Sequence, residues 1–319
     1  MRKIPIIVIC GATATGKTAL AVAAAQAFGG EVVNADSMQV YSGMDIATAM
    51  PTESERAGAA HHLFGIVSPE RRFSVAEWLN LARGKIAEIH GRGAVPIIVG
   101  GTGLYISSLV DNVIFDDVSS DAAFREQMFA LARECGNEVL HEKLRQIDPE
   151  AASRLHMNNV NRIVRILEIH EHCGETSAER TARSRAKCSP FETCMFNLEF
   201  EDRQLLYERI NVRVDGMVMN GLVEEARGRL ETLKRSDRLT SAQAIGHKEL
   251  LPYLSGETDL ETCIENVKMK TRNYAKRQMT WFRRFKCINK IYVNDFTQNV
   301  HVLQKTSDVL CSKNFLKKY

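Results

Sequence analysis

What the 319-residue chain lacks narrows its function first. No apolar run approaches the ~20 residues that a membrane-spanning helix requires, so a membrane protein is not expected. The formal charge of +3 is too small to argue for a polyanionic partner by itself, and such an argument has to rest on where the basic residues cluster. The cysteines, at 10, 135, 173, 188, 194, 263, 287 and 311, form no C-x-x-C pair and no metal-spaced set. That speaks against a zinc module or a disulfide framework and fits a reducing compartment. What remains, 45% hydrophobic and 25% charged, is the composition of an ordinary globular protein long enough for one core plus an appended unit.

The most informative stretch is Gly11-Ala12-Thr13-Ala14-Thr15-Gly16-Lys17-Thr18, between the apolar run Ile4 to Cys10 and the helical run Ala19 to Phe28. Strand, glycine-rich turn and helix make the context of a phosphate-binding loop. Gly11 and Gly16 let the backbone N–H groups turn inward toward an anion at the helix N-terminus. Lys17 adds a full charge, and the Thr18 hydroxyl suits a phosphate-bound Mg²⁺. With this loop ten residues into the chain, no cleaved leader is expected, and the protein is expected in the cytoplasm. Glu31 to Asn34 reads as a second strand that delivers Asp36 to the ligand-binding edge of the sheet, as a functional carboxylate or as a turn aspartate. Val95 to Val99 is a further buried strand, ending in Gly100-Gly101-Thr102. A phosphate-loop ATPase would place there the acid that holds Mg²⁺ and positions water. Its absence speaks against a hydrolytic motor, while Thr102 is equally a helix cap or a ligand contact.

Near Asp116 to Ser120 the alternation of strand and helix gives way to helices alone, and returns to strand at Cys194 to Phe200. The expected architecture is therefore α/β: a phosphate-loop-type parallel sheet flanked by helices, its core formed by 1–118 and 193–319, with an all-helical insertion over 119–192. Within the insertion, Asn161, Arg162 and Arg165 share one helix face, either solvated or functional. Arg203, Arg209 and Arg213 accompany the next helix; any of them could turn back to the phosphate loop or sit in a surface ion pair. From Lys268 to Lys286 the chain carries eight basic residues and no acidic one, with Lys270, Arg277 and Arg284 at heptad spacing and Tyr274, Trp281 and Phe285 on another side. A basic stripe beside an aromatic one suits a nucleic-acid backbone; an anionic membrane surface is the alternative. Lys290 to Asn294 reads as the last strand, and the tail past Ser307 carries no signal.

Together these features resemble the tRNA dimethylallyltransferases, over nearly the whole chain to about residue 295. The resemblance rests on GATATGKT at 11–18, DSMQVYSGMDIATA at 36–49, VGGTGLY at 99–105, RIVRILEI at 162–169, RINVRVDGMV at 209–218, AIGHKEL at 244–250 and YAKRQMTWFR at 274–283. It implies transfer of a dimethylallyl group from dimethylallyl diphosphate to the exocyclic amine of the adenosine 3′-adjacent to a tRNA anticodon, with Mg²⁺, by a monomer of the bacterial type. It also implies roles. Gly11, Ala12, Thr13, Ala14, Thr15, Gly16, Lys17 and Thr18 would hold the diphosphate, with Arg213 as a second charge and Thr18 toward the metal. Asp36 would be the general base, with Thr102, Lys17 and Arg213 completing the catalytic set. Asp36, Ser37, Met38, Gln39, Thr102, Arg125, the run Asn161, Arg162, Ile163, Val164, Arg165, and the run Gln243, Ala244, Ile245, Gly246, His247, Lys248 would face the anticodon stem-loop. The chain departs from the pattern at Asn161, where the family commonly has glutamine, at His247, where it has tyrosine, and at Met157, where a proline often follows the histidine. A small-molecule kinase is the rival reading: it would share the loop and could use Asp36 on an alcohol, but leaves the basic stripe without a purpose.

Overall fold

A computed structural model describes residues 3–113, 115, 121–185, 188–234, 239–293, 299–312 and 315. The chain divides into two compact units, 1–110 with 190–319, and 111–189. The helical unit thus starts at the end of a helix, at Asp111, rather than at 119. The polar run at 116–120, which suggests the later boundary, lies outside the described residues.

In the larger unit, β1 (Ile4–Gly11), β2 (Gly30–Asn34), β3 (His61–His62), β4 (Val95–Gly100), β5 (Phe191–Glu199) and β6 (Ile288–Tyr292) form one sheet in the order β3-β2-β4-β1-β5-β6. Every pairing is parallel. Strands buried on both faces read as unbroken apolar runs, and Ile6 to Cys10 and Val95 to Val99 are such runs. The helices of this unit are α1 (Lys17–Phe28), α2 (Glu53–Arg56), α3 (Val75–Gly91), α4 (Gly103–Val110), α10 to α13 (Arg203–Met219, Leu222–Gly228, Leu230–Lys234, His247–Leu254), α14 (Leu260–Phe282) and α15 (Asn299–Ser312). The connection of β1 leads to β2 on one side, and that of β4 leads to β5 on the other. Adjacent strands whose connections diverge leave a crevice at their carboxyl ends, and the phosphate loop and Gly100-Gly101 both lie there.

β3 is short because Leu63 turns into the left-handed region at φ 64°. Two local outcomes differ from the sequence expectations. The basic helix begins eight residues before Lys268, at Leu260, capped by the Asp259 carboxylate accepting the Thr262 N–H, and ends at Phe282. Around Ser307, beyond which the sequence carries no evident signal, α15 buries Val302, Thr306 and Leu310, one turn apart, and packs with the sheet core.

The smaller unit contains α5 (Ala122–Cys135), α6 (Asn137–Ile147), α7 (Pro149–Arg154), α8 (Val160–Cys173) and α9 (Ser177–Arg185) around Met128, Leu140, Leu144, Ile163, Val164 and Leu167. Its one fully buried carboxylate, among the described residues, is Glu168 on α8. Arg125 Nε and Nη2 donate to it in a fork, each at 2.8 Å, Arg165 Nη1 adds a bond at 2.5 Å and the Asp121 N–H a fourth at 2.8 Å. Burial works against the charge on Glu168, but these donors outweigh it and hold the carboxyl below the usual range. Glu168→Gln should therefore cost the helical unit about 2–4 kcal/mol, read as faster amide exchange across α5 and α8 with the sheet unit unchanged. Unaltered exchange would show the cluster to be a surface ornament of the fold.

Candidate active site

The phosphate loop is shaped by what cannot fit. Gly11 sits at φ 146°, and a Cβ there would lie 2.6 Å from the Leu198 carbonyl oxygen of β5. Gly16 (φ 86°) and Ala14 (φ 65°) complete the turn. The Thr15 hydroxyl and Lys17 Nζ both donate to the Ala12 carbonyl, at 2.9 and 2.6 Å. From α10, Arg213 Nη1 donates to the Thr13 hydroxyl at 3.3 Å, so of the three arginines near this helix it is Arg213 that turns back to the loop. Arg209 instead lies over the Phe200 ring. Two cations crowd one loop here. Burial, then the Arg213 charge, push the Lys17 ammonium down to about 8, with Asp36 pulling the other way.

Behind the loop stands Gln278 of α14, 4% exposed. Its Oε1 accepts the Thr13 N–H at 2.8 Å and its Nε2 donates to the Gly101 carbonyl at 2.9 Å. One amide thus joins the ends of β1 and β4. The glycines after β4 make this possible: a Cβ on Gly101 would meet Gln278 Nε2 at 2.2 Å, and one on Gly103 would meet the Trp281 ring at 2.3 Å. Where a hydrolase would place an acid, this chain places the contact surface of a helix.

Asp36 follows β2. The Asn34 side chain accepts its N–H at 2.8 Å, and Asp36 Oδ1 accepts the Met38 N–H at 2.9 Å, a local turn. The turn role and the functional role coexist, since the residue also lines the cavity described below. Thr102 is not a side-chain cap for α4. Its hydroxyl accepts the Ser37 N–H at 2.9 Å and donates to the Ser37 hydroxyl at 3.1 Å, tying the end of β4 to the segment that carries Asp36. Tyr274 stands near Thr102 and Gln278, and burial together with the Asp36 charge pushes its phenol up.

These groups open onto one cavity of about 1330 Å³, lined by Thr13, Lys17, Thr18, Asp36, Arg213 and Tyr274 among others. Ser37, Met38, Gln39 and the run Gln243 to Gly246 line it too. Lys248 is exposed and bonds Gln243. His247, expected at a surface, is 0% exposed, its Nε2 on Glu225 at 2.7 Å. In the helical unit, Asn161 and Arg162 are exposed, Arg125 and Arg165 are engaged by Glu168, and Ile163 and Val164 are core. A contiguous run on a helix cannot face one way, so within 161–165 only the polar members Asn161, Arg162 and Arg165 are placed to offer side chains to a partner. Glu225 escapes sequence reasoning, Gln278 shows there only as a member of the matched block 274–283 with no role given to it, and Tyr274 only through that block and the aromatic stripe. A lone glutamine or glutamate inside a polar helix carries no sequence signal of being buried.

Comparison with known proteins bears on this arrangement. The family model described as IPP transferase matches residues 39–285, and that described as isopentenyl transferase matches 4–63. The chain belongs to the IPP transferase family. It is 45% identical to a tRNA dimethylallyltransferase of Caldanaerobacter subterraneus subsp. tengcongensis, covering 97% of this chain and 98% of that one. A Bacillus velezensis tRNA dimethylallyltransferase is 44% identical, covering 97% and 96%. Among solved structures, the full-length tRNA isopentenylpyrophosphate transferase of Bacillus halodurans shares 39% identity at a TM-score of 0.71, covering 99% of this chain and all of that one. A eukaryotic dimethylallyltransferase described as acting on tRNA shares 29% at a TM-score of 0.84, covering 98% and 80%. Membership in this transferase family favours the prenyl-transfer reading of the loop over a kinase.

The depressed Lys17 gives the family site a measurable signature. An anion on the loop favours the protonated lysine, so its affinity is full below about pH 8 and falls as pH rises through the higher pKa of the complex. A diphosphate monoester should bind with level affinity from pH 7 to 8 and lose up to about tenfold per unit above that, with proton uptake in calorimetry. The limb should vanish in Lys17→Met; a flat wild-type profile would remove Lys17 from the anion site.

Proposed function

We propose that this chain transfers a dimethylallyl group from dimethylallyl diphosphate to the exocyclic amine of the adenosine 3′-adjacent to the anticodon of tRNA. The observation that carries this reading is a single cavity in which the loop charges, Lys17 and Arg213, and the Asp36 carboxylate all take part, at a sheet edge with glycines in place of a hydrolytic acid. In the transfer the allylic carbon–oxygen bond breaks, a carbon–nitrogen bond forms, and the amine proton passes to Asp36. Negative charge grows on the departing diphosphate, so Lys17, Arg213 and the loop N–H groups stabilise the transition state more than the ground state. The amine becomes acidic only as its new bond forms, so a carboxylate within hydrogen-bond reach is a sufficient base. Thr102 holds the Asp36 segment through Ser37.

Among the described residues no cluster of His, Cys, Asp or Glu could hold a metal. The donor set fits an Mg²⁺ bound through the Thr18 hydroxyl and the diphosphate oxygens, an ion that commonly keeps its other waters. It would neutralise leaving-group charge.

RNA binding is supported by the outer face of α14 and the turn after it. Lys270, Lys276, Arg277, Arg283, Arg284 and Lys286 are at the surface, with Arg277 over the Tyr274 ring at 5.6 Å and Arg284 over Trp281 at 5.2 Å. Stacking fixes the guanidinium planes in advance of any phosphate. Lys268 drops out of the stripe: it pairs with Asp215 and Glu265, at 2.8 and 2.9 Å. A membrane-lying helix would leave its aromatics outermost, whereas Trp281 packs on Gly103.

Incubation with tRNA and labelled dimethylallyl diphosphate should label the RNA, while ATP in its place should transfer nothing; phosphorylation of a small alcohol would restore the kinase reading. Asp36→Asn retains an oxygen for the Met38 N–H but no proton acceptor, so turnover should fall by about 10²- to 10⁴-fold with both substrates bound. Near wild-type turnover would leave Asp36 as a turn residue only. Replacing Arg277 and Arg284 by Ala should weaken tRNA binding and reduce the log–log salt slope by about one unit for each phosphate no longer neutralised. An unchanged slope would move the RNA grip elsewhere.

A further inference from the structure

The wall of the cavity contributed by Asp45 to Met50 is a single coiled turn that belongs to no helix or strand and ends three residues before α2. Within it the Thr48 N–H bonds the Met44 carbonyl, Ala49 that of Ile46, and Met50 that of Asp45. Such a turn has the difficulty of any helix end: its first N–H groups and last carbonyls find no partner inside it. Here side chains from elsewhere in the chain supply both. Glu225 of α11 accepts the Ile46 N–H on Oε2 at 2.8 Å and the Ala47 N–H on Oε1 at 3.0 Å. At the other end, Gln39 Nε2 donates to the carbonyls of Thr48 and Ala49, at 3.0 and 2.9 Å, where Ala49 turns left-handed at φ 48°.

Glu225 is itself held. His247 Nε2 donates to Oε1 at 2.7 Å, from a ring that is fully buried. Beneath them Ile46 and Ala47 pack on Leu222, Val223, Ala226 and Leu250. Burial opposes the Glu225 charge, and the His247 bond and the two backbone N–H groups overcome it, leaving the carboxyl below its usual range. All these residues belong to the larger unit.

We infer that Glu225, oriented by His247, is a positioning residue for transfer: it fixes the 45–50 wall of the cavity in the conformation that the reaction uses. His247 and the Gln39 amide, matched to tRNA contacts by resemblance, act through this turn. The inference rests on the transferase reading for its kinetic arm alone.

The test compares Glu225→Gln, His247→Leu and His247→Gln. The amide of Glu225→Gln offers one acceptor oxygen where two N–H groups and the imidazole need a carboxylate. His247→Leu removes the orienting donor, and His247→Gln restores one at the reach of Nε2. Amide exchange of the 44–50 peptide should accelerate at least tenfold in Glu225→Gln and His247→Leu and return near the wild-type rate in His247→Gln. In the same order kcat should fall by about 10- to 100-fold, the cost of a displaced site wall, and recover. Affinity for a diphosphate monoester should stay within about twofold throughout, because the phosphate loop is held by Gln278 and Arg213. Unchanged exchange in the first two variants would overturn the clamp. Accelerated exchange with wild-type kcat would overturn its part in the reaction. A wild-type protein without transferase activity would refute the function instead, and the exchange measurements would still decide the clamp. Should Glu225→Gln fail to fold, the two His247 variants carry the same comparison.

Discussion

The side-chain amide of Gln278 joins the two halves of the site, and much of the surrounding architecture is what that amide requires. A buried amide left without partners costs about 1–3 kcal/mol per missing bond, so Gln278 holds its position only while the phosphate loop offers an N–H and the β4 end offers a carbonyl. That demand explains Gly101, where a Cβ would strike the Gln278 amide; Gly103 makes room for the Trp281 ring of the same helix, and Gly100 for the Ala35 carbonyl oxygen, 2.2 Å from where its Cβ would lie. α14 is thereby fixed to the phosphate loop, while its exposed residues carry the basic charge. Under the proposed function one element would serve both substrates.

The electrostatics follow the same economy. Lys17 and Arg213 stand beside one loop, both with burial working against their charge, and Asp36 is a counter-charge to each. A diphosphate would relieve the cationic excess, and its departure would restore it. Asp36 therefore has two electrostatic partners besides any proton.

Much of this is legible in the sequence where a local rule forces a local outcome. The phosphate loop, the buried parallel strands and the position of Asp36 after β2 each follow from residue type and spacing within a few positions. Thr102 is legible as a contact residue but not in kind, because whether its hydroxyl caps α4 or reaches Ser37 depends on a segment 65 residues away. Gln278 and Glu225 act over still longer separations and look like ordinary polar residues on helices. Burial has the same origin. His247 belongs to a run matched as a block, yet it is buried against Glu225. Ile163 and Val164 belong to another such run, and their own chemistry places them in the core. In α15 the pattern is present at Val302, Thr306 and Leu310, but a threonine in the middle of the stripe conceals it; its hydroxyl donates to the Val302 carbonyl, which is how it is buried without penalty.

The Lys17 ammonium rests on the Ala12 carbonyl of its own loop. Under the proposed transfer, an arriving diphosphate would compete with that internal acceptor, and a departing one would leave the lysine a partner to return to. Grip would thus be traded for throughput: the loop would forgo part of the affinity its charges could deliver, and the spent leaving group would meet a shallower well on its way out. For a catalyst that releases the diphosphate its substrate carried, such a self-sheathing cation would limit how long each cycle is held by its own waste.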